Sequence, residues 1–244
     1  MLAAYVDFSD AVEAGGAVVL RVPEAPESPM LNRAIGLGGD APAAEHDVEQ
    51  VLAAFASGTR FYVAVAPDAQ PDELSGWLAA RGLQPGWGWM AFRRAADVLP
   101  AHETSLELVD VETTEQRADF ARIVRVGYGL PEAVEPRIGR APDCGWQCLL
   151  AVDGREPVGA AAIYLSEGVG YLGFAATLAE HRGKGAQSAL LAERIRRAAA
   201  GGCDVLVTET GERRDDLPSN SYRNILRSGF EEVAVTANWV GVGR

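Results

Sequence analysis

A glycine-rich segment in the second half of the chain combines the residue types that bind phosphate groups. Residues 177–187 read Thr-Leu-Ala-Glu-His-Arg-Gly-Lys-Gly-Ala-Gln, between an apolar run and an apolar-striped stretch. This pattern predicts a strand, a tight turn containing Gly183 and Gly185, and the N-terminus of a helix. The first N–H groups of a helix lack partners within it and lie at the positive end of its dipole, so they bind anions. Arg182 and Lys184 add positive charge, and the segment is therefore predicted to bind a pyrophosphate.

Two other phosphate-binding motifs do not fit this segment. The P-loop places its lysine after the second glycine of Gly-x4-Gly-Lys-Ser/Thr, whereas Lys184 precedes Gly185. The dinucleotide-binding motif Gly-x-Gly-x-x-Gly requires a third glycine where this chain has Ser188. A strand-to-helix turn whose glycines serve packing alone remains the alternative.

The cysteines and histidines do not form a recognisable catalytic or metal-binding set. Cys144 and Cys148 are four residues apart, but no further pair of cysteines or histidines completes a zinc site. We therefore expect no bound metal, and with Cys203 the odd count favours reduced thiols over a disulfide framework. His46 and His102 have no partners at ligand or triad spacing and are interpreted as surface residues.

Composition and charge argue against several classes of protein. The chain has 244 residues, 48% of them hydrophobic, which is enough for one large domain or two of ordinary size. Its net charge of -12 argues against binding to nucleic acid or to an anionic membrane surface. No apolar stretch approaches the roughly 18 residues that span a membrane. The N-terminus lacks a basic segment followed by an apolar one, so no signal peptide is expected and a cytoplasmic location is predicted.

The first part of the chain is predicted to be a small α/β sandwich. Apolar residues at three- and four-residue spacing indicate helices, and alternating or β-branched runs indicate strands. The resulting order of strand, strand, helix, strand, helix, strand is typical of an α/β arrangement. The predicted strands are 17–22, 30–37, 61–66 and 87–92, and the predicted helices are 47–55 and 72–83.

The second part follows a linker predicted at 96–103 and has the order β-α-α-β-β-β-α-β-α-β. The glycine turn lies between the fourth strand and the third helix of this order. Glycines end the third and fourth helices, at Gly201-Gly202 and at Gly229. The predicted strands are 106–111, 148–152, 158–165, 169–178, 203–210 and 230–240, and the predicted helices are 113–126, 131–140, 186–200 and 221–228.

The element order and the turn together resemble the GNAT superfamily of N-acetyltransferases. The mark of that family is Arg/Gln-x-x-Gly-x-Gly/Ala after the fourth strand, and this chain has Arg182-Gly-Lys-Gly185-Ala-Gln187. Gln187 departs from the pattern, because a small residue is usual there, and its side chain must turn away from a bound phosphate. The sequence Asn224-Ile-Leu-Arg-Ser-Gly-Phe230 resembles the closing Leu-Tyr-x-x-x-Gly-Phe of the family. The resemblance covers residues 105–244 and implies an α/β fold of the α+β type.

The resemblance implies that the chain binds acetyl-CoA as its cosubstrate. The pyrophosphate would bind the N–H groups of the glycine turn, and the pantetheine arm would lie along the fourth strand as an added strand. Asn220 lies in a loop that commonly contacts pantetheine, although capping the following helix explains it equally well. The residues expected to bind the cosubstrate are Ala175, Thr177, Arg182, Gly183, Lys184, Gly185, Ala186, Gln187 and Asn220.

The resemblance also implies an amine that attacks the thioester directly. Glu209 ends the fifth strand, where the family often has a carboxylate that removes the proton of the amine through water; an exposed charge at a strand end is the alternative. The tyrosine that usually protonates the departing thiolate is replaced by Ile225. Tyr222 lies one helical turn earlier on the same face and either takes its place or packs in the core. Solvent is the other source of the proton.

The first part resembles a shortened second copy of the same fold. Residues 78–83 and 225–230 are both helix ends closed by glycine and a large apolar residue, and each is followed by a strand that contains tryptophan. Helix-glycine-strand patterns are common in α/β proteins, and coincidence is the alternative. We predict a degenerate GNAT-like domain at 1–98, which lacks the glycine turn and binds no cosubstrate, and a catalytic GNAT domain at 104–244.

These expectations describe an N-acetyltransferase that moves an acetyl group from acetyl-CoA to a primary amine. The acceptor is expected to be a small-molecule or peptide amine, with no nucleic-acid or membrane partner, and a homodimer is left open. The competing interpretation is a non-catalytic acyl-CoA-binding sensor that kept the phosphate turn without the acid.

Overall fold

The computed structural model describes residues 2–97, 104–214 and 220–244 of the chain. Packing divides the chain into two compact units, one made of Met1–Met90 and Ala234–Arg244 and the other of Ala91–Val233. The domain boundaries expected from the sequence, 1–98 and 104–244, stay predictions. The expected linker lies outside the described residues from residue 98 onward, and so does His102.

Short helices and strands alternate along the described residues. The helices are α1 (Leu2–Val6), α2 (Glu45–Ala53), α3 (Leu74–Ala80), α4 (Thr114–Tyr128), α5 (Glu135–Ile138), α6 (Ala186–Ala200) and α7 (Asn220–Arg227). The strands are β1 (Val12–Ala14), β2 (Ala17–Leu20), β3 (Arg33–Ile35), β4 (Arg60–Val65), β5 (Gln84–Pro85), β6 (Trp89–Ala95), β7 (Glu107–Asp110), β8 (Trp146–Asp153), β9 (Glu156–Ser166), β10 (Val169–Thr177), β11 (Val205–Gly211) and β12 (Glu231–Val242). Short 3-10 helices occur at Glu132–Val134, Ala141–Cys144 and Ala179–His181.

The first unit is a mixed sheet packed against helices. Its strand order is β1-β2-β3-β4-β12, with β5 also paired to β12. Neighbouring strands are antiparallel except β3 and β4, which are parallel. α2 and α3 bury Val48, Val51 and Leu78 on their inner faces. The rings of Phe55 and Phe61 stack at 4.0 Å and join the end of α2 to β4.

The strands and helices predicted for the first part of the chain are confirmed, with small errors at their ends, although β6 belongs mostly to the second unit. The predicted strands correspond to β2, β3, β4 and β6, and the predicted helices to α2 and α3. The sequence did not reveal α1, β1 or β5. These elements have five, three and two residues, which is too short for a periodic pattern to develop.

The second unit is built on a sheet of order β6-β11-β10-β9-β8-β7. Neighbours from β7 to β10 are antiparallel, and β10 and β11 are parallel. α4 is capped at its N-terminus by Thr113, whose hydroxyl accepts a hydrogen bond from the N–H of Gln116, and at its C-terminus by Gly129, which has the left-handed conformation. Phe120 and Ile123 on its inner face are fully buried.

The mixed α/β class predicted from the sequence is confirmed, and the elements predicted for the second part of the chain are present except for one helix, although most of β12 belongs to the first unit. The region predicted as one short helix at 131–140 is instead a 3-10 helix followed by α5. Pro136 has no N–H to donate to the preceding turn, so one continuous helix through this region is disfavoured. Among the described residues, every helix is too short or too polar to cross a membrane. The same residues contain no cluster of histidine, cysteine and acidic side chains suited to holding a metal ion.

Candidate active site

The turn between β10 and α6 has the geometry of an anion-binding loop. Gly183 and Gly185 both have a φ angle of 84°, in the left-handed region that residues with a Cβ rarely adopt. At Gly183 no atom of the described residues lies within 4 Å of the position that a Cβ would take, so the backbone conformation and not a lack of space favours glycine. The strand, glycine turn and helix predicted from the sequence are therefore present.

The N–H groups at the start of α6 are available to a ligand. Gly185 is the N-cap residue, and no side chain in the described part of the chain caps the helix. The N–H groups of His181 and Arg182 donate hydrogen bonds within the turn, but no described bond is donated by those of residues 183–188. These donors, together with the exposed side chain of Arg182, can bind a multiply charged anion.

The other motif residues have different surroundings. Ala186 is buried in an apolar cluster that includes Leu149 and Leu190, so the first turn of α6 is anchored to the sheet. Gln187, the departure from the family pattern, is partly buried. Lys184 points to the β8–β9 turn, as its Nζ donates to Oδ2 of Asp153 at 2.7 Å.

The two parallel strands beside the turn pair over only the first part of their length. The ladder between β10 and β11 runs from Val169 and Val205 to Leu172 and Thr208. β10 nevertheless continues to Thr177 and β11 to Gly211. In this described part of the sheet, the ladder therefore ends before Ala175 and Thr177 of β10. The sequence predicts that the backbone of these two residues pairs with an extended ligand.

A bulge in β10 interrupts its pairing with β9 at the same place. The register shifts between Gly173 and Ala176, and Phe174 has a φ angle of 51°. A non-glycine residue in this conformation costs of order 1–3 kcal/mol. Aromatic packing offsets that cost, because the Phe174 ring contacts Trp146 at 4.8 Å and Phe120 at 6.1 Å between centroids. A Cβ on Gly173 would lie 2.8 Å from the Trp146 ring, so the bulge also requires glycine there.

Glu209 lies on β11 immediately after the last residue that pairs with β10. Its neighbour Thr208 is buried and donates a hydrogen bond from Oγ1 to the carbonyl of Leu172 at 2.9 Å. Glu209 itself is partly buried. The structure thus places Glu209 beside the interrupted ladder, and its role as a base stays a prediction.

Tyr222 is packed into the second unit. It is 4% exposed, its ring contacts Phe92 at 4.9 Å, and its hydroxyl donates to Oε1 of Glu232 at 2.5 Å. Burial, and then the hydrogen bond to Glu232, raises the pKa of Tyr222 to about 12. Ile225, one turn further along α7, is buried as well. Asn220 is the first residue of α7, and its Oδ1 accepts a hydrogen bond from Nη2 of Arg223 at 2.5 Å.

The three cysteines differ in their surroundings. Cys144 is partly exposed, whereas Cys148 and Cys203 are buried. Burial raises the pKa of the Cys148 thiol to about 12, and burial also raises the pKa of Cys203. The two buried thiols are therefore held protonated and unreactive at neutral pH.

Sequence reasoning missed Arg194, which lies on the inner face of α6 at 3% exposure. A signal for it was present, since Leu190, Arg194 and Ala198 follow one another at four-residue spacing on the apolar stripe. It also missed the bulge, for which Gly173 within an apolar strand was the available signal.

Residues 106–218 match the model of the Acetyltransferase (GNAT) family. This stretch is a GNAT acetyltransferase domain. The predicted family is confirmed for this domain, and with it the prediction of an acyltransferase. Comparison with curated proteins finds no relative of this sequence.

Solved structures of GNAT proteins extend the likeness to the whole chain. A GCN5-related N-acetyltransferase from Kribbella flavida is 22% identical, with a TM-score of 0.69 over 100% of this chain and 93% of that one. A tandem GNAT protein from the clavulanic acid biosynthesis pathway is 15% identical, with a TM-score of 0.60 over 96% of this chain and 82% of that one. A GNAT-family acetyltransferase from Colwellia psychrerythraea is 10% identical, with a TM-score of 0.57 over 98% and 94%. At the level of the fold, this chain is like a tandem GNAT protein.

Proposed function

We propose that the GNAT domain transfers the acetyl group of acetyl-CoA to a primary amine. The observation that carries the proposal is the uncapped start of α6 behind two left-handed glycines. The N–H groups of Gly183, Gly185 and Ala186 bind the pyrophosphate, and the exposed guanidinium of Arg182 adds charge. Lys184 can join them when it leaves Asp153, because exposed ion pairs are weak.

The pantetheine arm then lies along β10 beyond the end of the ladder with β11. The backbone of Ala175 and Thr177 supplies the hydrogen bonds that a neighbouring strand would otherwise supply. Asn220, at the start of α7, contacts the arm in this proposal. The interruption of the β10–β11 pairing after Leu172 supports this placement.

The reaction is a direct attack by a neutral amine on the thioester carbonyl. Glu209 accepts a proton from the incoming ammonium through water, and the nitrogen lone pair then forms the new C–N bond. As the C–S bond breaks, the sulfur leaves with its electron pair and takes up a proton, and the positively charged nitrogen of the new amide loses its second proton to water. Tyr222 and solvent are the two sources of the proton that the sulfur takes up. The hydrogen bond from Tyr222 to Glu232 and its raised pKa favour solvent.

An acyl-CoA sensor without catalysis is the second function, and it is supported by the engaged hydroxyl of Tyr222 and the presence of Ile225. Free CoA release measured over a panel of small-molecule and peptide amines distinguishes the two. Turnover on any amine supports the transferase. Tight binding of acetyl-CoA with no turnover on the whole panel supports the sensor. A cytoplasmic location is proposed with either function, because Cys148 and Cys203 are reduced thiols, which suit a reducing compartment.

The cosubstrate site itself is tested by Gly185→Glu, with Gly202→Glu as the matched control. Both glycines have positive φ angles, and they lie at opposite ends of α6. A glutamate at 185 fills and charges the anion site, so acetyl-CoA binding measured by calorimetry should be lost. The same change at 202 should leave the affinity unchanged. Unchanged affinity in Gly185→Glu would contradict the proposed site.

A further inference from the structure

Arg194 carries a buried positive charge in the middle of α6. Its side chain is held by three carbonyl groups. Nε donates to the carbonyl of Leu190 at 3.1 Å, and Nη1 donates to those of Ala162 and Gly173, each at 3.4 Å. No carboxylate is among its partners in the described part of the chain. Burial lowers the pKa of Arg194 to about 10, an effect that Tyr128 opposes, so the guanidinium stays charged at neutral pH.

The carbonyls that Arg194 contacts in the sheet mark the beginning of the bulge. Ala162 on β9 and Gly173 on β10 are register partners, and theirs is the last regular pair before the shift. The next residue is Phe174, with its left-handed backbone. Arg194 therefore connects α6, which begins at the glycine turn, to the bulge in β10.

A buried cation whose partners are carbonyl dipoles is costly. Desolvation of a charge in a protein interior costs several kcal/mol, and carbonyl partners recover only part of it. An apolar side chain at this position would continue the stripe of Leu190 and Ala198 without that cost. The contacts of Arg194 with the bulge indicate a function that explains why a buried charge is kept at this position.

We propose that Arg194 is a positioning residue for acetyl transfer, which holds the Gly173–Phe174 peptide in the orientation that the thioester requires. This inference rests on the proposed function. A trans peptide keeps its C=O and N–H in opposite directions, so fixing the Gly173 carbonyl also fixes the direction of the Phe174 N–H. A cation on the carbonyl polarises the peptide and strengthens its N–H as a donor. Donors fixed in advance near a reacting carbonyl stabilise the negative charge that develops on its oxygen.

The variant that tests this role is Arg194→Met, with Arg196→Met as its control. Methionine is apolar, has a similar length and fits the stripe. Arg196 lies on the same helix but is exposed and pairs with Glu193, so its loss leaves the bulge unchanged. We expect Arg194→Met to lower kcat by about 10²-fold, which is the usual effect of misplacing a reacting group by about 1 Å. The Kd for CoA should be nearly unchanged, because the glycine turn is intact. Arg194→Lys should recover part of the rate.

Infrared spectra of bound acetyl-CoA, labelled with carbon-13 at its carbonyl, measure the polarisation of the thioester directly. If Arg194 only stabilised the fold, its replacement would not change the carbonyl frequency. In the wild-type protein the carbonyl stretch should shift to lower frequency on binding. In Arg194→Met the shift should shrink, and in Arg194→Lys it should be intermediate. If Arg194→Met does not fold, the comparison of Arg194→Lys with the wild type carries the test.

The outcomes separate this inference from the proposed function. A wild-type protein that neither binds acetyl-CoA nor turns over amines contradicts the proposed function itself. An active wild type whose Arg194→Met variant keeps its kcat and its carbonyl shift overturns the role of Arg194. A second result would also overturn the role of Arg194. In that result, Arg194→Met lowers the melting temperature and the affinities for CoA and acetyl-CoA, but the carbonyl stretch of the bound acetyl-CoA shifts as it does in the wild type.

Discussion

Lys184 and Asp153 are joined by a hydrogen bond of 2.7 Å from Nζ to Oδ2, so the only lysine of the chain connects the glycine turn to the β8–β9 turn. The hydrogen bond from Lys184, and then its charge, lowers the pKa of Asp153. Both side chains remain substantially exposed. In the proposed complex, Asp153 competes with the bound phosphate for the lysine and also places a negative charge near it.

Asp153→Asn should tighten the binding of CoA. The change removes the competitor for Lys184 and one negative charge, and the effect should stay below about tenfold because exposed pairs are weak. The measurement is the Kd for CoA at low and high salt, with a smaller difference at high salt. Asp110→Asn is the control, since Asp110 pairs with Arg197 near the other end of α6. Weaker binding in Asp153→Asn would contradict this account.

Glu209→Gln should lower kcat/KM by about 10²–10⁴-fold, the usual contribution of a general base. The loss should be greatest at low pH, where the amine is protonated, and should shrink as rising pH supplies neutral amine without the base. The pH profile of kcat/KM measures this, with Glu107→Gln on the exposed edge strand β7 as the control. An equal loss at every pH would indicate that Glu209 only shapes the site.

Tyr222→Phe should lower kcat by far less than the roughly 10²–10⁴-fold that the loss of a general acid costs. A tyrosine with a pKa of about 12 is a weaker acid than a thiol, whose pKa is about 8.5, so proton transfer to the thiolate is unfavourable. The ring can keep its contact with Phe92 in the variant. A loss of several hundredfold in single-turnover experiments would instead identify Tyr222 as the acid.

The same residue predicts a dependence of stability on alkaline pH. The pKa of Tyr222 is higher in the folded protein, about 12, than the value of about 10 in an unfolded chain. Its contribution to stability is therefore complete below pH 10 and is lost as the pH rises toward 12. We expect the free energy of unfolding to fall more steeply over this range in the wild type than in Tyr222→Phe. Denaturant titrations across the range compare the two.

Gly173→Ala should destabilise the protein and lower its acetyl-transfer rate. Its Cβ would lie 2.8 Å from the Trp146 ring, which itself holds Phe174 in place. Overpacking of this kind costs about 1–3 kcal/mol. Thermal unfolding and kcat are the measurements. Gly76→Ala in α3, where the added Cβ meets no atom within 4 Å, should be neutral or stabilising by up to about 1 kcal/mol.

Features determined by neighbouring residues were predictable from the sequence, and features determined by distant contacts were not. The turn at Gly183 and Gly185 follows from local backbone requirements, and α4 from its cap and apolar stripe. The left-handed Phe174 depends on the rings of Trp146 and Phe120, which are far away in the chain. No local pattern specifies that arrangement.

Among the site residues, too, local features could be predicted from the sequence and features that depend on distant contacts could not. The motif predicted which residues bind the anion, because they share one short segment, and their binding role stays a prediction. The partner of Tyr222, Glu232, lies on another element, so the sequence left open whether the tyrosine packs or reacts. Arg194 interrupts an apolar stripe, but only the carbonyls of Ala162 and Gly173 show why a charge is there.

The burial of Cys148 and Cys203 has a consequence for the kinetic order of the reaction. Thioester exchange requires a thiolate, and the raised pKa values of these two thiols keep them from accepting the acetyl group. A route through an acyl-enzyme at either residue is closed, and with the direct attack proposed above we expect both substrates to be bound together before transfer. Initial rates measured against both substrates should therefore give intersecting double-reciprocal lines, whereas parallel lines would point to an acyl-enzyme elsewhere in the chain.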